Sequence, residues 1–145
     1  MKDGLQAAAG MALGFLLGAT PLAVAEENAL PLLCALTRML ECVEGGACRQ
    51  IDAQAIGAPR FARVDVAGGR IHDPEAGEGA PGSTVAHSAR VDGKLILQGT
   101  DPGIEELRDG VGWTVAIAED ARRMVLTAAG DAVAYVAFGA CLPVQ

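Results

Sequence analysis

The sequence predicts an α+β fold. One N-terminal helix would pack on a roughly six-stranded antiparallel β-meander, able to curl into a small barrel and stapled by disulfides. Three observations predict it. Apolar residues recur at helical spacing up to Val43 and switch to alternation from Phe61 onward. Short breaks rich in Gly and Asp separate the alternating runs, as expected of sequential antiparallel neighbours. The chain has 4 cysteines, none in a C-x-x-C pair, downstream of a leader-like N-terminus.

The elements follow in order. Residues 1–25 read as a signal peptide: Lys2 opens it, Ala7 to Ala19 is apolar, Pro21 breaks the run, and Ala23-Val24-Ala25 offers small residues for cleavage after Ala25. The competing reading is an uncleaved anchor, since Leu5 to Ala25 is about long enough to span a bilayer. A lipoprotein fits less well, because Leu33 precedes Cys34 where a small residue is expected. Residues 26–145 would then form a single domain.

A helix is predicted over about 28–44. Asn28 is a candidate N-cap, Glu26 and Glu27 suit the positive end of the helix dipole, and Pro31 is tolerated in a first turn. Leu32, Leu33, Leu36, Met39, Leu40 and Val43 form its apolar face, and Gly45-Gly46 stops it. The meander is predicted over about 61–141. Ala62, Val64 and Val66 alternate with Arg63 and Asp65. Val85, His87, Ala89 and Val91 fall on one face of the next long run, which places His87 on the apolar side. Asp92-Gly93 is a strong hairpin turn. Trp113, Val115 and Ile117, and then Met124, Leu126 and Ala128, continue the alternation towards Cys141.

The cysteine spacings argue for staples over chemistry. Thioredoxin-like redox, ribbon-zinc and covalent haem motifs all require C-x-x-C. On a continuous helix Cys34 and Cys42 would stand about 12 Å apart, beyond disulfide reach. The turn at Gly45-Gly46 lets Cys42 meet Cys48, leaving Cys34 for Cys141. The runner-up pairs Cys34 with Cys48 and Cys42 with Cys141. A four-thiolate copper or zinc site is the remaining alternative.

Composition and motifs exclude several functions. The net charge is -7, and losing Lys2 and Asp3 with the leader leaves it unchanged. No cluster of basic residues exists to hold nucleic acid or an anionic membrane, so the mature form is expected to bind neither. The run "GEGAPG" matches a dinucleotide fingerprint in letters but lacks the strand before it and the helix after it. There are 2 histidines, His72 and His87, too few for a multi-histidine metal site. Ser88 adjoins His87, but neighbours on a strand point to opposite faces, which prevents a nucleophile–base pair. No catalytic residue, metal ligand or cofactor is therefore assigned. The candidate binding loops carry His72, Asp73, Glu75 and Glu78, then Asp101, Glu105, Glu106 and Asp109. Loops this long are either mobile or functional.

The segments "LLCALTRMLEC", "APRFARVD", "DGKLILQG", "GVGWTVAI" and "RMVLTAAGDAVAYVAFGAC" resemble a group of small exported bacterial proteins ending in FGAC. The resemblance covers most of the chain beyond the leader and implies one domain and an exported location, with no activity attached. High Arg relative to Lys, with abundant Ala and Gly, fits a GC-rich bacterial source. The expectation is a periplasmic or secreted binding or accessory domain that engages a cationic envelope protein or a small ligand. Two alternatives stand beside it: an enzyme using loop carboxylates, and a cysteine-based metal or redox protein.

Overall fold

The computed structural model describes residues 30–77 and 80–145. Nine strands follow in order: β1 (Leu32–Val43), β2 (Arg49–Ile51), β3 (Phe61–Asp65), β4 (Arg70–His72), β5 (Ser83–Val91), β6 (Lys94–Asp101), β7 (Val111–Ala118), β8 (Arg123–Ala129) and β9 (Val133–Pro143). A short 3-10 turn, Ala53–Ile56, lies between β2 and β3, capped by the Asp52 side chain and stopped by Gly57. Strands β3 to β9 run as an antiparallel meander, and β1 pairs with both β3 and β9, closing a barrel of eight strands. The ninth, β2, lies beside the second half of β1.

The predicted α+β class is corrected by these strands. The described residues contain no α-helix, and the segment expected to be one is β1, the longest strand of the barrel. The reason lies in its two apolar faces. Leu32, Cys34, Leu36 and Met39 face the core clusters, while Leu33, Ala35 and Leu40 share the outer wall with Leu142, Ala140 and Val136 of β9. A β-bulge between Leu36 and Arg38 shifts the alternation by one residue. Two apolar faces and a shifted period together imitate an i, i+3, i+4 repeat. Eleven registered pairs with β9 then override the helix-favouring Ala, Leu, Met and Glu of the segment. Gly45, at φ 70, turns β1 into β2 rather than ending a helix. The leader and the candidate cap Asn28 lie outside the described residues.

The inside of the barrel is filled. Leu97, Val64, Val115, Cys34 and Cys141 are the largest fully buried side chains, joined by Leu95, Trp113, Ile117 and Met124. Each such aliphatic side chain stabilises the fold by about 1.5–3 kcal/mol. Apolar residues inside are the reverse of the polar lumen of a transmembrane barrel.

Two glycines make this filling feasible. Gly99 pairs with Trp113, and a Cβ there would overlap the indole ring. Gly139 pairs with Leu36 and Met124, and a Cβ there would overlap the Ala35 carbonyl oxygen.

One disulfide is a cross-strand bond and the other closes a turn. Cys34 bonds Cys141 in the β1–β9 register, and Cys42 bonds Cys48 across the β1–β2 turn. Along an extended strand Cys34 and Cys42 stand about 26 Å apart, so strand geometry separates them further than a helix would. No free cysteine is present among the described residues.

Candidate functional site

Strand alternation decides where the candidate residues go. In an antiparallel barrel every second connection emerges at the same end. The β1–β2, β4–β5, β6–β7 and β8–β9 connections therefore share one end, and the Asp92-Gly93 hairpin and the Asp120 turn share the other. Both acidic loops consequently lie at one end. Asp73 and Glu75 sit in the first, and Glu105, Glu106 and Asp109 in the second, with Asp101 at its root. Glu44 and Asp131 occupy the two other turns of that end. Glu78 lies outside the described residues.

The β6–β7 loop is built by its own carboxylates. Asp101 Oδ1 accepts from the Gly103 N–H at 2.9 Å, and Asp109 Oδ1 accepts from the Ile104 N–H at 2.6 Å. The Leu107 and Arg108 N–H groups both donate to the Ile104 carbonyl, forming one helical turn. Gly103 and Arg108 take positive φ values of 64 and 53 to allow it. The Ser83 hydroxyl donates to Asp101 Oδ2 at 2.9 Å, tying this loop to the end of the other. Ile104 and Leu107, three residues apart on that turn, are 55% and 66% exposed. The loop thus presents two apolar side chains beside Glu105 and Glu106.

The histidines are separated. His72 ends β4 and pairs with Arg63 of β3. His87 is corrected from the expected apolar side: a bulge between Val85 and His87 shifts the register, so His87 pairs with Gln98 and is exposed. Ser88 pairs with Leu97 and Arg90 with Leu95, and both Ser88 and Arg90 are exposed. The alternation misses this because a bulge leaves no mark in the apolar pattern.

Two concave regions exist away from these loops. A depression of about 380 Å³ at the opposite end has Leu32, Leu95, Ile117 and the Cys34–Cys141 staple beneath it. The Arg90–Glu119 ion pair, 2.8 Å from Nε to Oε1, stands at its rim. A groove of about 540 Å³ follows the β1 bulge, between Thr37 and Arg38 on one side and Gln50, Asp52 and Arg60 on the other. Each region holds one carboxylate, Glu119 or Asp52, whereas paired acid–base catalysis needs two. Among the described residues no three His, Cys, Asp or Glu side chains come close enough to hold a metal ion. Comparison with known proteins finds no matching family model, curated relative or solved structure.

Sequence reasoning did not single out Ile104 and Leu107. Their signal was available: two large aliphatics inside a Gly- and Asp-bounded loop have no strand in which to be buried.

Proposed function

We propose that the protein is an exported, non-catalytic binding module whose acidic barrel end engages a cationic protein. The observation that carries this is the β6–β7 loop. It holds a fixed internal conformation while exposing Ile104 and Leu107 among carboxylates. An apolar pair supplies buried area, and surrounding charge of one sign selects the partner and speeds the encounter. The partner is a protein with exposed Lys or Arg around an apolar patch, of the kind met in a bacterial envelope. The two disulfides support residence in an oxidising compartment, periplasmic or secreted.

Affinity capture from the envelope fraction of the source cell tests the reading. A cationic protein should be recovered at low salt and lost at high salt, because the encounter is electrostatic. Leu107→Ser together with Glu105→Gln and Glu106→Gln should remove it. Capture that persists in this triple variant would place the binding elsewhere.

A further inference from the structure

The outer wall formed by β3, β1, β9 and β8 has the opposite character to the loop end. Ala35 and Ala140 face each other at its centre. Register places Phe61 beside Ala35, Arg123 beside Ala140, and Leu142 beside Leu33 one row away. On the other side the row Arg38–Phe138–Val125 crosses β1, β9 and β8. Two small residues ringed by larger ones make a shallow apolar depression. Phe61, Phe138, Val125 and Leu142 are 41%, 39%, 38% and 63% exposed, a concentration that marks an interaction surface on a small domain.

The charges in these three rows are all of one sign; the outward carboxylate of β3, Asp65, lies one row beyond them and accepts from the Gly68 N–H of its own turn. Arg38, Arg63 and Arg123 occupy outward positions of the registered rows, and no carboxylate occupies those rows. Among the described residues none of the three has an ion-pair or hydrogen-bond partner for its guanidinium. In a chain of net charge -7 this is a local inversion. The wall therefore meets the description of the partner derived above: apolar, exposed and rimmed by arginine.

We infer that the protein self-associates, the β6–β7 loop of one copy docking on the β1–β9 wall of another. This inference rests on the loop being the binding element. Ile104 and Leu107 occupy the depression over Ala35 and Ala140, while Glu105 and Glu106 meet Arg38 and Arg123. Loop and wall are different surfaces, so each copy has one of each to offer.

Sedimentation of the exported protein over a concentration series, at low and high salt, tests this with two variants. The loop variant is Leu107→Ser with Glu105→Gln and Glu106→Gln. The wall variant is Arg38→Glu with Arg123→Glu, both at exposed positions, its fold checked by the sheet circular dichroism signal and the buried-tryptophan emission. The unaltered protein should show a mass above the monomer that falls to the monomer at high salt. Each variant alone should be monomeric. An equimolar mixture should recover a dimer, since each variant supplies the half that the other lacks. A monomer at every concentration would overturn the inference, as would a loop variant that still associates through its walls or a mixture that stays monomeric. So would loss, in the wall variant, of binding to anionic phospholipid vesicles with no self-association in the unaltered protein. The wall variant keeps its loop intact and still captures a cationic protein if the functional reading holds, so the two readings can fail separately.

Discussion

Single residues set the tolerance of this barrel to change. Gly139 has no room for a Cβ, because the Ala35 carbonyl lies against it across the β1–β9 pairing. Gly139→Ala must separate the two strands that close the barrel, and should cost about 3 kcal/mol in urea unfolding, at the upper end for overpacking. Trp113 behaves differently. It is 8% exposed, and its indole N–H has no hydrogen-bond partner among protein atoms. Trp113→Phe loses apolar area but also removes a desolvated donor, a deficit of about 1–3 kcal/mol. The two effects offset, and stability should change by less than about 1 kcal/mol in the same assay. At this scale the sequence was informative where alternation was regular: Trp113, Val115 and Ile117 alternate in sequence and line the core together. It misplaced His87, where one extra residue in β5 reverses the face.

At the scale of elements, β1 is the decisive strand. It closes the barrel with β3 and β9, and it carries one cysteine of each disulfide. The two bonds contribute unequally. Cys34–Cys141 closes a loop of sequence separation 107 and Cys42–Cys48 one of 6, worth about 5 and about 2.4 kcal/mol on chain-entropy grounds. Replacing Cys34 and Cys141 by alanine should lower the denaturation midpoint about twice as far as replacing Cys42 and Cys48. Equal losses would show that the constraint on the unfolded chain is not what stabilises the closure. Cysteine spacing was legible because it depends on chain separation, which a helix and a strand both impose. The state of β1 was not legible, since a doubly apolar, bulged strand and an amphipathic helix share the same string of residues.

At the scale of the molecule, charge is sorted by topology. Alternating connections send both long acidic loops to one end, and closure by β1 exposes an arginine-rimmed wall on the side. The far-UV circular dichroism spectrum of the chain from residue 30 onward should be that of β-sheet, without the double minimum of a helix; a helical component of a dozen residues or more there would contradict the all-strand barrel. The single tryptophan, buried under Gly99, should emit at short wavelength and shift to the red in one transition with the sheet signal, because barrel closure couples the strands. Two transitions would mean that part of the meander opens before the rest.

The sequence by itself determined the β-meander from Phe61 onward, the hairpin at Asp92-Gly93, and the acid-rich loops, because alternation and turn chemistry are local properties of the chain. Asp92 and Gly93 take φ values of 50 and 69, as a tight hairpin requires. Only the tertiary structure decided that Leu32–Val43 is a strand, that the two acidic loops share one end, and that Arg38, Arg63 and Arg123 share one wall. Each of these depends on which strands pair. Pairing is settled by burial of Cys34, Met39 and Cys141 against partners about a hundred residues away along the chain, a distance that no local pattern encodes.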